Sequence, residues 1–355
     1  MRRDLLSLGI VFMSLVSVLT ILNYRNLLKD RAPTRSSSDA SVSARPFSPL
    51  DPPPGSAVAL PSIRIDEKIG EKEVKRGIYG GKGDKKHLGG FTDFDRQGVS
   101  PAVWKHMVSQ LGVKSVLDVG CGRGISTSWF KLHGVETSCV EGSHDAVVQS
   151  IVPGSESVVV EHDFSRGPWW PDRTVDAVWC VEFLEHVGRN FHVNYLPAFR
   201  KAALIFATHS RWGGWHHVEV HMDPWWKTKF ELYGFVYSPE LTDAVKTAAH
   251  EERKSKVIMP NGDESNAQHI TLNMQVFINP RVASLPEHAH LMAEGGCYLE
   301  GLGGKRVNEP CGTGKSKDLT ALPKEFLPLD IDEGMDKEWE DLVRRNVNQK
   351  EKGRL

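Results

Sequence analysis

Short apolar runs, each closed by a polar or acidic residue, recur through the middle of the chain. The first covers Ser115–Val119 and leads into a turn that is dense in glycine. Similar runs follow at Thr137–Val140, Val158–Glu161, Val175–Val181 and Ala202–Thr208. Runs of this length that are apolar on both faces are typical of parallel strands covered by helices. The pattern therefore predicts a buried, mostly parallel sheet.

Segments with helical character separate these runs. We predict helices at Pro101–Gln110, Asp145–Ser150 and Tyr195–Arg200, and another over Trp225–Phe230. A late segment, Ile270–Ile278, alternates apolar and polar residues and predicts an antiparallel strand at the sheet edge. Regular alternation of strands and helices indicates an α/β fold with a doubly wound sheet.

The first residues have a different pattern. The segment from Leu5 to Leu22 is almost wholly apolar, a length that suits a membrane span of about 17–25 residues. No clear small-x-small cleavage site follows, so we predict a retained, single-pass N-terminal transmembrane helix in residues 1–31; an uncleaved signal peptide or a targeting segment is the alternative. Basic residues flank the span on both sides and leave its orientation open. We favour a Golgi or ER membrane over a mitochondrial one.

Composition divides the remainder of the chain. Residues 32–61 are rich in Pro, Ser and Ala, a linker composition that cannot bury a core. Residues 62–114 are interpreted as an N-terminal cap whose glycine-dense loop either connects flexibly or folds over a ligand. The sheet domain is expected over 115–280. Residues 281–355 form a polar extension that we predict to be partly disordered, above all in its last fifteen or so residues.

Charge and cysteine content exclude some classes of protein. The 355 residues carry a formal net charge of −1, so the whole chain has no electrostatic signature of nucleic-acid binding. The five cysteines contain no C-x-x-C pair, which argues against a zinc ribbon. Cys121, Cys139 and Cys180 fall at or near predicted strands, where a thiol is normally a small hydrophobic group. Cys297 and Cys311 lie in a later, loop-rich region, and whether they pair stays open.

The turn after the first strand has the sequence Asp118-Val119-Gly120-Cys121-Gly122-Arg123-Gly124, with glycine where a Cβ would block a ligand. Glu141 follows about twenty residues later, at the end of the second strand, where an acid can hold ribose hydroxyls. This spacing suits NAD or S-adenosylmethionine. The turn lacks the G-x-G-x-x-G dinucleotide fingerprint, and Asp163-Phe164 offers a carboxylate for an adenine amino group beside an aromatic face. Both features favour S-adenosylmethionine.

These motifs, together with His162 and Asp176-Ala177-Val178, occur in the order found in class I S-adenosylmethionine-dependent methyltransferases, which the chain resembles from about Ser115 to Ile278. The resemblance implies a Rossmann-like, mostly parallel seven-stranded sheet and S-adenosyl-L-methionine as the cofactor. It implies that Gly120 and Gly122 lie against the methionine moiety, that Glu141 holds the ribose and that Asp163 holds the adenine. The predicted cofactor-binding residues are Asp118, Gly120, Gly122, Gly124, Glu141, Asp163 and Phe164.

The segment Glu182-Phe183-Leu184-Glu185-His186 follows the fourth strand, at the end of the sheet where ligand sites in such folds lie. Its E-x-x-E-H core is similar to segments in ubiquinone-biosynthesis O-methyltransferases and in small-RNA 3′-terminal 2′-O-methyltransferases. The resemblance implies a divalent metal near the acceptor hydroxyl. Two carboxylates and an imidazole suit Mg²⁺, Mn²⁺ or Zn²⁺. The predicted metal ligands are Glu182, Glu185, His186 and His217.

A cluster of histidines and tryptophans from His209 to His221 follows the fifth strand and should reach the same end of the sheet. His217 or His216 either completes the metal set or acts as a general base near neutral pH. A site without metal stays open, in which the first glutamate contacts the cofactor. The predicted catalytic residues are His217, His216 and Glu182. The tryptophans that either stack on a sugar or aromatic ring or pack in the core are Trp212, Trp215, Trp225 and Trp226.

We therefore expect a membrane-anchored O-methyltransferase that acts on a hydroxyl of a small molecule, a glycan or a lipid headgroup. An N- or protein methyltransferase is the alternative among enzymes, although no Asn/Asp-Pro-Pro-Tyr segment follows the fourth strand. A cofactor-binding pseudoenzyme that serves as a scaffold is the alternative of another class. The near-zero net charge and the predicted anchor disfavour a nucleic-acid acceptor.

Overall fold

The computed structural model describes residue 88, residues 90–291, the strand segments 297–300 and 306–309, and residues 327–347. The predicted anchor and linker, most of the predicted cap loop, and Cys311 lie outside these residues. Within the described part of the chain, no helix is both long enough and apolar enough to cross a membrane.

A seven-stranded sheet forms the centre of the domain. Its strands in chain order are β1 (Ser115–Val119), β2 (Glu136–Glu141), β3 (Val159–Glu161), β4 (Val175–Cys180), β5 (Ala202–Ala207), β6 (Val236–Tyr237) and β7 (Gln275–Ile278). Their order across the sheet is β3-β2-β1-β4-β5-β7-β6. The first five strands pair in parallel, and β7 is antiparallel to both β5 and β6. The predicted doubly wound, mostly parallel seven-stranded sheet is confirmed.

Helices cover both faces of this sheet. Those within the described residues are α1 (Pro101–Ser109), α2 (Ile125–Leu132), α3 (His144–Val148), α4 (His192–Phe199), α5 (Asp223–Leu232), α6 (Pro239–Lys254), α7 (Gln268–Asn273), α8 (Pro280–Ala283) and α9 (Glu333–Asn346). A separate antiparallel hairpin pairs β8 (Cys297–Glu300) with β9 (Arg306–Glu309). Every residue of β4 and β5 is buried, which explains why their sequences are apolar without alternation.

The late strand predicted over Ile270–Ile278 was wrong in two respects. Only Gln275–Ile278 is a strand, because the residues before it form α7. The first turn of α7 is fixed by backbone bonds from Ala267 N to Arg96 O and from His269 N to Gln97 O, both 3.0 Å long. The strand also lies between β5 and β6, so β6 forms the sheet edge instead.

The C-terminal extension contains a helix that packs on the domain. α9 covers part of the last fifteen residues, which the sequence predicted to be disordered. Trp339 is 2% exposed, and its indole Nε1 donates to the carbonyl of Ile125 at 3.0 Å. Asp336 accepts a bond from Trp129 Nε1 at 3.0 Å and pairs with Lys105. Only Trp339 and Val343, four residues apart, are buried along α9. Two apolar positions are too few for the sequence to predict a helix that packs on the domain.

A buried polar cluster ties the turn after α8 to the end of the sheet opposite the glycine-dense turn. Asp176 is 1% exposed and accepts bonds from the backbone N–H groups of Lys114 and Ser115 at 2.7 and 3.1 Å. Its carboxylate also accepts from His288 Nδ1 at 2.7 Å and from His290 Nε2 at 2.9 Å. Burial opposes ionisation of Asp176, but the bonds from His288 and His290 lower its pKa to about 2.

The depressed pKa of Asp176 predicts how the stability of the domain depends on pH. An acid whose pKa falls on folding stabilises the fold above its unfolded pKa and loses that contribution as pH falls through the folded pKa. We expect a contribution of about 2 kcal/mol that fades between about pH 4 and pH 2. Asp176→Asn should lower the free energy of unfolding at neutral pH and flatten this part of the pH profile in urea titrations. The exposed Asp172→Asn serves as the control, and an Asp176→Asn profile parallel to the wild-type one contradicts the prediction.

Candidate active site

A cavity of about 880 Å³ opens at the carboxyl ends of the parallel strands, the position in which α/β sheets of this kind bind ligands. Residues 90–99, named here the strap, form one wall. Residue 88 also lines the cavity, so the described end of the predicted cap loop folds over it. Asp118, Gly120, Gly122, Glu141, Asp163, Phe164, Glu182, His186, His216 and His217 are the predicted site residues that line the cavity.

The glycine-dense turn is bonded to the end of β2. Gly120 N donates to Val140 O at 2.9 Å, and Gly122 N donates to Glu141 Oε2 at 2.7 Å. Gly120 has a φ of 74°, and a Cβ built on it would lie 2.7 Å from Phe183 Cδ2. Glycine at this position therefore provides both a left-handed backbone and the space that Phe183 fills. Gly124 stands outside the cavity wall and precedes the first turn of α2.

Two acids lie behind this turn, one fully buried and the other half-buried. Asp118 is 2% exposed and accepts bonds from Ser126 Oγ at 2.6 Å and Thr127 Oγ1 at 2.7 Å; burial nevertheless raises its pKa to about 6. Burial also raises the pKa of Glu141, against the bonds that this carboxylate accepts from Ser143 N and Gly122 N. With the N–H of Gly142, three backbone donors bond to the Glu141 carboxylate, which leaves about one of its four lone-pair sites for a ligand hydroxyl.

The end of β3 provides the predicted adenine contacts. Asp163 Oδ1 accepts bonds from Ser165 N at 2.9 Å and Ser165 Oγ at 2.7 Å, which fixes the carboxylate at the cavity wall. Phe164 is 4% exposed, and its ring packs edge-on against Phe183 with 5.8 Å between centroids. The roles of Asp163 and Phe164 toward adenine stay predictions.

The interpretation of Cys121 and Cys139 as separate small hydrophobic groups was wrong. The structure joins them in a disulfide, with 6.0 Å between their Cα atoms, while Cys180 is a buried free thiol. In the β1–β2 register Asp118 lies opposite Cys139, so Cys121 in the turn ends within reach of it. The bond connects the turn to the strand that presents Glu141, two residues beyond Cys139. Sequence spacing gave no sign of this pair, because its proximity depends on the register.

Two carboxylates and an imidazole meet beneath the other half of the cavity. Ligand atoms of Glu182, Glu185 and His217 all lie within 4.8 Å of one another. Glu185 is 0% exposed, and within the described residues no other residue donates a hydrogen bond to its carboxylate. Burial, reinforced by the charge of Glu182, raises the pKa of Glu185 well above its usual range. A buried carboxylate without donors is costly unless a cation compensates it.

Glu182 is held in an uncommon backbone conformation. Its φ is 57°, and its backbone N–H donates to Thr208 Oγ1 at 2.9 Å. A residue other than glycine with such a φ is strained, and strain of this kind concentrates at functional sites. The Glu182 carboxylate pairs with His269 Nδ1. Burial raises the pKa of Glu182, but the contact with His269 outweighs it and leaves the pKa below its usual value.

The loop after β5 delivers the histidines. His217 Nδ1 donates to Trp212 O at 2.8 Å, which leaves Nε2 as the ring atom with a lone pair. His186 Nδ1 donates to the carbonyl of His216 at 3.2 Å, and burial lowers the pKa of His186 to about 4. His186 is not part of the group that includes His217. The structure thus assembles three of the four predicted metal ligands, and His216 lies beside them with a φ of 54°.

Two titratable residues that interact with Glu182 were not predicted from the sequence. Asp95, in the strap, and His269, in α7, both line the cavity beside Glu182. Neither lies in a motif, and a prediction that placed residue 270 in a strand could not place His269 at the carboxyl end of the sheet. Of the four tryptophans, Trp226 is 1% exposed and belongs to the core. Trp212 is 57% exposed, while Trp215 lines the cavity.

The strand order, the glycine-dense turn and the acids at the ends of β1, β2 and β3 define the cofactor-binding fold of a class I S-adenosylmethionine-dependent methyltransferase. Residues 97–256 match the family model described as "Methyltransferase domain". This part of the chain is a methyltransferase domain, and S-adenosyl-L-methionine is its cofactor. A comparison with curated protein sequences gives no match.

Solved structures provide more distant likenesses. A magnesium protoporphyrin IX methyltransferase from Synechocystis PCC 6803, with bound S-adenosylmethionine, is 16% identical, with a TM-score of 0.29; the match covers 39% of this chain and only 65% of that one. The methyltransferase domain of a bacterial Hen1 is 16% identical, with a TM-score of 0.32; the match covers 50% of this chain and 93% of that one. A methyltransferase from Archaeoglobus fulgidus is 17% identical, with a TM-score of 0.31; the match covers 52% of this chain and 92% of that one. These low scores add nothing to the assignment, which rests on the fold, the motifs and the family model.

Proposed function

We propose that this domain is an O-methyltransferase whose acceptor hydroxyl is activated by a divalent cation held by Glu182, Glu185 and His217. The observation that carries the proposal is Glu185, a fully buried carboxylate with no donor from another residue in the described part of the chain. Its position within 4.8 Å of two further ligand groups gives a donor set of two carboxylates and an imidazole. This set suits Mg²⁺, Mn²⁺ or Zn²⁺.

Different residues of the site have different roles in the proposed reaction. When bound, S-adenosylmethionine supplies the methyl group and the cation lowers the pKa of the acceptor hydroxyl. Gly120, Gly122 and Glu141 form the cofactor side of the cavity, and the strap covers it. His216 is the base proposed to receive the hydroxyl proton, because it lines the cavity beside the donor set and His217 is used as a ligand.

For the acceptor we propose a hydroxyl on a small molecule, a glycan or a lipid headgroup. The support is the exposed Trp212, whose backbone carbonyl is bonded to His217 and whose ring is free to stack on a sugar or another planar group. A net charge of −1 gives an anionic polymer no general attraction. Attachment to a Golgi or ER membrane through residues 1–31 is part of the same proposal and lies outside the described residues.

The test is methyl transfer by the purified full-length chain with methyl-labelled S-adenosylmethionine. Separate glycan, lipid, small-molecule and RNA fractions serve as acceptors, each assayed in EDTA and with Mg²⁺, Mn²⁺ or Zn²⁺. We expect metal-dependent label in one of the first three fractions. If methyl transfer is unaffected by EDTA, the proposed metal requirement is wrong. If label appears only in RNA, the proposed acceptor class is wrong. If the chain binds the cofactor but transfers no methyl group to any fraction, it is a pseudoenzyme.

A further inference from the structure

His269 reaches the active site from a part of the chain that carries none of the other proposed ligands. It stands in the first turn of α7, two residues after Ala267, whose φ of 44° lies in the left-handed region. Its backbone N–H donates to Gln97 O at 3.0 Å, and the N–H of Ala267 donates to Arg96 O at 3.0 Å. Two bonds to the strap therefore fix the start of the helix that presents this imidazole.

The His269 imidazole contacts the strained glutamate of the donor set. Its Nδ1 pairs with Glu182 Oε1, and the side chains of both residues are mostly enclosed, at 22% and 23% exposed. The backbone of Glu182 is set separately, by the bond from its N–H to Thr208 Oγ1. His269 is thus a direct side-chain partner of the Glu182 carboxylate, alongside Glu185.

The negative charges near Glu182 bear on what its contact with His269 does. Three carboxylates, those of Asp95, Glu182 and Glu185, lie close together, and the charge of Glu182 disfavours ionisation of both Asp95 and Glu185. A carboxylate has two oxygens, so one can accept a hydrogen bond while the other binds a cation. Residues that hydrogen-bond to a metal ligand in this way fix its orientation and strengthen metal binding.

We infer that His269 is a positioning residue that orients the Glu182 carboxylate and thereby sets the metal affinity of the site. The inference rests on the proposed function, because it requires the cation site at Glu182, Glu185 and His217. It adds a residue from α7 to that site, and it makes metal affinity depend on the anchoring of α7 to the strap. His269 itself is not in the group of ligand atoms that meets at the proposed cation site.

The test is Mn²⁺ binding to the purified full-length chain, measured by isothermal titration in the absence of cofactor and acceptor. His269→Ala should weaken Mn²⁺ binding about 10- to 100-fold. His269→Asn keeps a donor near the position of Nδ1 and should recover most of the loss. His250→Ala, on the exposed side of α6, is the matched control and should bind Mn²⁺ like the wild type, and S-adenosylmethionine affinity should stay within about twofold in all variants.

A double-mutant cycle with Glu182→Gln separates positioning from ligation. If His269 acts through Glu182, His269→Ala should cost little further affinity in the Glu182→Gln background. An equal loss in both backgrounds makes His269 an independent ligand and overturns the inference. Unchanged Mn²⁺ affinity in His269→Ala overturns it as well, while the proposed function stands. A wild-type chain that binds S-adenosylmethionine but no divalent cation overturns both.

Discussion

Gly120→Ala should weaken S-adenosylmethionine binding by roughly 100-fold, which corresponds to about 2.7 kcal/mol. A Cβ at this position would lie 2.7 Å from Phe183 Cδ2 and 3.0 Å from Phe183 Cβ, so the turn and Phe183 cannot both keep their places. Phe183 directly follows Glu182, and the shift should therefore also disturb the donor set. Isothermal titration of the purified variant with the cofactor measures the effect.

Gly134→Ala separates the clash from backbone strain. Gly134 has a φ of 77°, close to the 74° of Gly120, but a Cβ there meets no atom within 4 Å. It lies between α2 and β2, away from the cavity. Both variants should lose about 1 kcal/mol of stability to the left-handed backbone, and only Gly120→Ala should lose the cofactor. Equal cofactor affinity in the two variants would show that Phe183 yields and that the turn tolerates a side chain.

Glu185→Gln should reduce metal-stimulated methyl transfer at least roughly 100-fold and, at the same time, raise the thermal midpoint of the metal-free protein. The carboxyl group is fully buried beside Glu182, so burial and electrostatic repulsion from Glu182 both disfavour its charged form when no cation is bound. A glutamine of the same shape removes this repulsion and can donate a hydrogen bond to Glu182. It replaces one of the two carboxylates of the donor set, and the cation should bind weakly.

Two measurements check this pair of opposite effects. Thermal unfolding in EDTA reports the stability, and methyl transfer over a series of Mn²⁺ concentrations reports the function. Glu251→Gln, on the exposed surface of α6, should change neither. If Glu185→Gln is destabilised in EDTA, the predicted relief of electrostatic repulsion is wrong. If the variant keeps full Mn²⁺ stimulation, Glu185 is not a metal ligand.

The sheet could be predicted because burial on both faces leaves a plain signature in sequence. The residues of β4 and β5 are all buried, so their apolar runs are uninterrupted and easy to recognise. The same logic located the cavity, since side chains that directly follow parallel strands meet at one edge. Glu182, Glu185 and His217 come together for that reason. Val218 lies 33 positions after Glu185, and its N–H donates to the Glu185 carbonyl, which holds the loop at this end of the sheet.

The features that were missed depend on contacts between segments. His269 enters the site because α7 is bonded to the strap, and no periodicity within residues 270–278 reports those two bonds. α9 buries only two residues, Trp339 and Val343, and its other contacts with the domain include polar ones through Asp336. The disulfide follows from a register in which Asp118 faces Cys139. In each case the deciding partner is remote in the chain, and local pattern carries no information about it.

The Cys121–Cys139 bond makes the cofactor pocket sensitive to the surroundings in which the chain folds. In an oxidising compartment the turn that carries Gly120 and Gly122 is covalently held against the strand that ends in Glu141. In a reducing one the same two segments are joined by packing and by hydrogen bonds from Gly120 N to Val140 O and from Gly122 N to Glu141 Oε2. The compartment in which the chain folds therefore decides whether this disulfide adds to the hydrogen bonds between the turn and β2.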